Sequence, residues 1–275
     1  MPRRTRLTLV DDSVPTDAPS PSRRLNLTVV EEHDCPYLPG RRARFLVGPA
    51  AGIAPAEYRE LMDENFRRSG SVVYRPVCEG CRECRQLRVL VDRFTASKSD
   101  RRILRRNADL VVTASVPKWT TEKAELYARY LRDWHQTDTH AVEQAGDDLR
   151  AFLYEPAVAS IEMEYRTSAG KLVGVGILDV AASALSSVYF YFDATERKRS
   201  LGHYSMLREI ELARQAGMTH HYLGYFVANC RKMAYKRRYR PCEVLSISET
   251  AWQGSPDGRT KPLWVLDTGV DVTMK

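Results

Sequence analysis

No stretch of this sequence stays apolar for the roughly 18 residues a membrane-spanning helix needs, and Met1 to Val10 lacks the apolar middle of a secretory signal. Both absences predict a cytosolic chain. A second paired zinc knuckle is missing too, since the six cysteines include only one run at C-x-x-C spacing. In a cytosolic setting such thiols are expected to stay reduced, so their grouping speaks of metal or packing before disulfides. No internal repeat or low-complexity tract is evident beyond the N-terminal tail. What is present is an excess of clustered cations. A formal charge of +7 over 275 residues is mild, but clustering favours an anionic partner over general solubility.

The length gives room for a substantial core and two modest domains. Residues 1–24 mix Pro, Ser, Thr, Asp and Arg without hydrophobic periodicity and predict a mobile tail. Residues 25–118 form the first expected domain, with strands over Leu25 to Val30, Val72 to Arg75, Gln86 to Phe94 and Leu110 to Val116 and a helix over Pro55 to Phe66. Cys78, Cys81 and Cys84 can converge on one cation, with Cys35 or His33 as the fourth ligand. Zinc is the default and an iron–sulfur cluster the alternative. Reduced thiols packing a loop account for them equally well.

Arg101, Arg102, Arg105 and Arg106 fall at i, i+1, i+4 and i+5, which gathers them on one side of a helix, and Ser97 and Ser99 add hydroxyls suited to phosphate. That helix is the strongest nucleic-acid signature in the chain. Residues 119–275 form the second expected domain. It opens with a long helix whose buried side is marked by Leu126, Tyr130, Leu131 and Trp134, with His135 at its end. A loop over Asp138 to Asp148 and an antiparallel hairpin over Lys171 to Val180 and Leu185 to Phe192 follow. The hairpin ends at Asp193, an acid placed either for chemistry or to cap a turn.

The chain is organised around what comes next. Arg199-Ser200-Leu201-Gly202 is a small-residue turn whose unpaired amides suit a phosphate, and a helix with Met206, Leu207, Ile210 and Ala213 on one face runs to Gly217. An aromatic strand over His221 to Phe226 completes this loop, helix and strand unit. Arg231 to Arg240 then packs six cations and two aromatics into ten residues, a density suited to a polyanion. Strands at Glu243 to Ser248 and Leu263 to Leu266 close the chain. The mixture predicts an α+β fold with a mixed, acyltransferase-like (GNAT-like) C-terminal sheet and a smaller cysteine-containing N-terminal domain.

Cys35-Pro-Tyr-Leu-Pro-Gly-Arg41, Phe66-Arg-Arg-Ser-Gly-Ser-Val-Val-Tyr-Arg-Pro76, Cys78 to Cys84, Ser97 to Asn107, Tyr191-Phe-Asp193, Arg199 to Gly202 and Tyr222 through Lys236 to Pro241 together resemble the aminoacyl-tRNA–protein transferases of the N-degron pathway. The Cys-Pro-Tyr-Leu-Pro loop is similar to the bacterial branch, which moves leucine onto N-terminal Asp or Glu and marks the acceptor for degradation. Eukaryotic relatives, which move arginine, carry a cysteine where Leu38 stands.

The resemblance implies aminoacyl-tRNA and acidic-start proteins as partners, no membrane, and no cofactor required for catalysis. It implies Asp193, with Tyr191, Tyr225 or Tyr235, in the chemistry, and Arg67, Arg68, His135, Lys232 and Lys236 around the acidic acceptor. The tRNA end would lie over Ser97, Ser99, Arg101, Arg102, Arg105, Arg106 and the Arg199, Ser200, Gly202 turn. Three alternatives stand beside this reading: an arginyl donor, an acyl-CoA-dependent acetyltransferase, and a metal-stabilised RNA-binding adaptor without turnover.

Overall fold

The computed structural model describes residues 8–9, 25–137, 147, 149–155, 157–247 and 263–268. Apart from Thr8–Leu9, the tail expected over 1–24 lies outside the described residues, as does most of the loop expected over Asp138 to Asp148. In chain order the elements begin with β1 (Thr8–Leu9), β2 (Thr28–Val29), β3 (His33–Asp34), β4 (Arg42–Ala43), β5 (Phe45–Pro49), α1 (Pro55–Asp63), β6 (Arg67–Ser69) and β7 (Val72–Pro76). They continue with β8 (Arg85–Leu90), α2 (Lys98–Arg106), β9 (Val111–Ser115), α3 (Thr121–Tyr130), β10 (Ser160–Arg166), β11 (Leu172–Ala181) and β12 (Ala184–Phe192). The last are α4 (Leu201–Gln215), β13 (His220–Phe226), β14 (Cys242–Ser246) and β15 (Leu263–Asp267).

The fold is α+β, with a nine-stranded mixed sheet in the order β1-β9-β10-β11-β12-β13-β8-β14-β15 and a four-stranded sheet in the order β2-β5-β7-β6. Apart from Asp179, strand β11 is apolar on both faces, and it is buried along its whole length, which is why it lies near the middle. Its Gly174 is needed for close packing, because a Cβ there would stand 3.1 Å from the Phe190 ring. Strands β10 and β12 flank it antiparallel. No expected element covers β10, although Ile-Glu-Met-Glu-Tyr-Arg alternates as a half-buried strand should.

Helix α4 buries Met206, Leu207, Ile210 and Ala213 and stops before Gly217, whose φ of +67° gives the reversal into β13. It thereby carries the chain from β12 to the parallel strand β13, and the expected loop, helix and strand unit is present. Helix α3 buries Leu126 and Tyr130, but the chain then widens into a π-helical turn over Leu131–His135. That widening changes the angular spacing, so Trp134, expected in the core, is 50% exposed.

The small sheet docks on β11 through one buried knot. Asp179 takes a bidentate pair from Arg68 (Nε to Oδ2 2.9 Å, Nη2 to Oδ1 2.8 Å) and hydrogen bonds from the Tyr58 and Ser160 hydroxyls. Strand β8, although it lies within residues 25–118, sits inside the large sheet between β13 and β14. No helix among the described residues is long and apolar enough to cross a membrane.

Candidate functional site

Strands β12 and β13 pair only from Ala184–His220 to Ser186–Tyr222 and then part. Gly224, at φ +77° on a register shift of β13, leaves the gap open, and Arg67 reaches into it from β6. The guanidinium fills the place of the missing side chain: a Cβ on Gly224 would lie 1.0 Å from Arg67 Nη1. Nη2 donates to the Ser187 carbonyl at 2.9 Å, an oxygen the parted strands leave without a ladder partner.

Arg67 is half-buried, whereas Lys236 is buried, with Nζ donating to the Tyr225 carbonyl at 2.7 Å. Burial first, and then the charge of Arg67, push its ammonium well below the usual lysine range. Among the described residues neither cation has a carboxylate partner. Burial without a counter-charge disfavours the charged form of Lys236, and an anion brought beside it would offset that cost.

Next to the gap lies an open cleft of about 370 Å³ lined by Trp134, Phe192, Arg197, Leu201, His203 and Tyr235 together with the Ser200–Gly202 turn. Tyr235 connects the two places. Its hydroxyl is raised by burial and then by Glu209, while the charge of Arg67 acts to lower it, so it serves at neutral pH as an O–H donor. His135 sits near the mouth, hydrogen-bonded to the Tyr130 hydroxyl at 3.1 Å; burial and then Lys232 lower its pKa.

The basic helix meets this cleft from the other side. Arg106 Nη1 donates to the Lys198 carbonyl at 2.8 Å and lies 3.4 Å from Ser200 Oγ. Arg101, Arg102, Arg105 and Arg106 are exposed, and among the described residues none has a carboxylate partner. The two nearby acids are occupied elsewhere: Asp109 pairs with Arg199, and Asp100 forms a capping box with Ser97.

Several expected roles change on this geometry. The hydroxyl of Ser97 is committed to capping α2, and Ser99 is bonded to it, so neither is a free phosphate ligand. Arg199 is held bidentately by Asp109 and by Glu196, so it fixes the turn instead of presenting a free charge. Arg68 belongs to the Asp179 knot and is fully buried there.

Asp193 accepts from the Thr195 amide at 3.0 Å and pairs with Lys171 at 2.8 Å. Burial would raise its pKa, but the Lys171 and Thr195 hydrogen bonds outweigh it and hold the carboxyl below its ordinary range. Capping the turn before the cleft engages Oδ1, and Lys171 engages Oδ2. Tyr225 donates to the Asn65 carbonyl at 2.9 Å and Tyr191 is bonded to Tyr154 at 2.8 Å, both buried. Of the three tyrosines, Tyr235 alone is exposed to the cleft.

Among the described residues no three His, Cys, Asp or Glu side chains are placed to hold an ion. Cys78 Sγ accepts the Arg44 amide and faces its carbonyl, and Cys35 Sγ accepts the Leu38 amide. Cys84 packs with Tyr225, Val227 and Cys230, where burial and then the neighbouring thiols push it up to about 12. Backbone groups thus engage Cys35 and Cys78, and packing engages Cys84.

Sequence reasoning also missed a buried ion cluster in which Lys123 pairs with Glu162 and, at 2.8 Å, with Glu164. Recognising β10 as a strand would have drawn attention to its alternating acids. Phe192, Arg197, Leu201 and His203 as cleft walls had no signal of their own, because their grouping depends on how β12, α3 and α4 meet.

The family model described as arginine-tRNA-protein transferase, N terminus, matches residues 33–102, and that for the C terminus matches residues 122–246. The aspartate/glutamate leucyltransferase of Saccharophagus degradans is 38% identical over 221 residues, covering 80% of this chain and 93% of that protein. The protein of the same name from Pseudomonas fluorescens is 37% identical over 223 residues, covering 81% and 94%. Among solved structures, L-PGS from Bacillus licheniformis overlays 62% of this chain and 50% of its own with a TM-score of 0.41 at 12% identity, too loose a likeness to argue from.

Proposed function

The chain belongs to the arginine-tRNA-protein transferase family, and from that premise we propose that it moves an amino acid, leucine before arginine, from charged tRNA to the N-terminal Asp or Glu of acceptor proteins, marking them for degradation in the cytoplasm. Its relatives named aspartate/glutamate leucyltransferase support the leucyl donor and the acidic acceptors. One structural observation carries the reading. Two cationic side chains without a carboxylate partner among the described residues, half-buried Arg67 and buried Lys236, lie beside a cleft whose other flank is a helix of arginines without ion-pair partners.

In this reading α2 and the Ser200–Gly202 turn hold the tRNA acceptor end by its phosphates. The acidic side chain of the acceptor docks toward Arg67 and Lys236, with Lys232 and His135 at the mouth. The acceptor's α-amine, with a reference pKa near 8, loses a proton and attacks the ester carbonyl. The tetrahedral oxyanion then collapses, the new peptide bond forms, and the terminal ribose hydroxyl leaves with a proton. The ester is already activated, so holding the two reactants together supplies most of the rate. In this reading Tyr235 donates to the oxyanion, and Asp193 keeps the turn in shape.

The test is transfer from leucyl- and arginyl-tRNA to peptides beginning with Asp, Glu or Lys. Leucine on the Asp and Glu peptides alone is the expected product. No transfer from either charged tRNA would leave the RNA-binding adaptor, and acetyl transfer from acyl-CoA would replace the donor.

A further inference from the structure

The cleft beside Arg67 has walls of one kind. Trp134 and Phe192 meet with ring centroids 5.0 Å apart at 63°, Leu201 closes the floor, and Tyr235 stands edge-on to His203 at 6.1 Å and 87°. Trp134 is 50% exposed and Tyr235 43%, so a good deal of aromatic surface faces solvent here. Such surface gains from being covered by an apolar group.

Charge is as one-sided as the walls. Arg197 is exposed at the rim and has no ion-pair partner among the described residues, and no Asp or Glu lines the cleft. The acids around it are taken: Asp193 by Lys171 at 2.8 Å, Glu196 by Arg199 at 2.8 Å, and Glu209 by His221 at 3.0 Å. Asp100 caps α2 and faces Arg238 at 3.6 Å. Arg238 also donates to Nε2 of His203 at 2.6 Å, which leaves that ring neutral and its other nitrogen a donor. A guanidinium entering this space would lose water, meet Arg197 and find no free carboxylate. An aliphatic side chain would meet none of those costs.

We propose that this cleft receives the side chain of the amino acid being transferred, and that its apolar, acid-free lining with Arg197 at the rim selects an aliphatic residue over a cationic one. The inference rests on the transferase reading and deepens it by naming Trp134, Phe192, Leu201 and Arg197 as determinants of donor choice. Position supports it. The cleft touches the Ser200–Gly202 turn, where α2 arrives, and Tyr235, which the charge of Arg67 reaches. An acyl group seated there lies between the tRNA end and the acceptor cations.

The competing occupant is the terminal adenine of the tRNA, stacked on Trp134 or Tyr235. The two are separated with the full chain, one Asp-initiated peptide, and leucyl- and arginyl-tRNA as donors, by measuring kcat/KM for each donor and the affinity of uncharged tRNA. Arg197→Glu is expected to lower the leucyl-to-arginyl ratio, relative to the unaltered chain, by about tenfold or more. Trp134→Ala is expected to lower leucyl transfer by about tenfold with the affinity for uncharged tRNA unchanged. Both side chains are at the surface, so neither change threatens the core. Equal losses with both donors, or a matching loss of uncharged-tRNA affinity, would overturn the assignment in favour of the adenine. If the unaltered chain transfers from neither donor, the transferase reading falls, and this assignment with it.

Discussion

Arg67 and Arg68 are neighbours on β6, and the two regions they enter have opposite chemistry. Arg68 is clamped by Asp179 with both oxygens engaged and both side chains fully buried. Arg67 goes to the gap between β12 and β13, where its partners are a backbone carbonyl and the Tyr225 ring 5.8 Å away. One guanidinium is neutralised and joins two sheets. The other is held in place with its charge unspent. Residue type alone therefore does not separate a neutralised cation from one left with its charge; the presence of a counter-charge does.

The largest effect should come from the knot. Arg68→Ala strands Asp179 as a buried anion and should cost about 3–5 kcal/mol of stability by urea unfolding. A loss below about 1 kcal/mol would mean that the two sheets are joined by something else. Arg67→Met should instead cut kcat/KM for Asp-initiated peptides about 10- to 100-fold, the worth of a charged hydrogen bond, with stability largely kept. An equal loss on peptides with neutral starts would erase the contrast between the neighbours. Gly224→Ala should imitate Arg67→Met, because the new methyl takes the guanidinium's place, with about 1–2 kcal/mol of added backbone strain.

Two smaller effects sharpen the same contrast through pH. Asp193 has a lowered native pKa, so the stability it contributes is present above its unfolded value near 3.9 and is lost as pH falls through the native one. Asp193→Asn should cost about 1 kcal/mol, as loss of a cap does, and should flatten the acid limb of melting temperature against pH. Transfer abolished in a folded Asp193→Asn protein would return the carboxylate to the chemistry. Lys236 is depressed in the opposite sense: the unfolded chain binds its proton more tightly, so stability rises with pH between the native value and about 10.4. Lys236→Met should remove that rise, and a persisting slope would point to another group. Smallest of all, replacing Arg102 or Arg105 singly by Ala should lower the salt dependence of tRNA binding by just under one unit of slope.

Much of the architecture was legible because it follows local periodicities. The α4 stripe of Met206, Leu207, Ile210 and Ala213, the reversal at Gly217 and the basic face of α2 are properties of neighbours in sequence. Trp134 was misplaced because a π-helical turn broke the spacing on which the expectation rested. Arg199 and Ser97 looked free in the sequence, and Asp193 stood between chemistry and a cap; all three are engaged in the fold, by Asp109, Asp100 and Lys171. Lys171 and Asp109 lie 22 and 90 residues from the groups they hold.

The sequence by itself determined which helices and strands form, where the cations gather and which family the motifs resemble, because these depend on short-range spacing. Which of those cations keeps its charge unspent was decided only by the tertiary structure. Neutralisation acts through space, and the carboxylate that silences Arg68 arrives from a strand 111 residues away while none comes to Arg67.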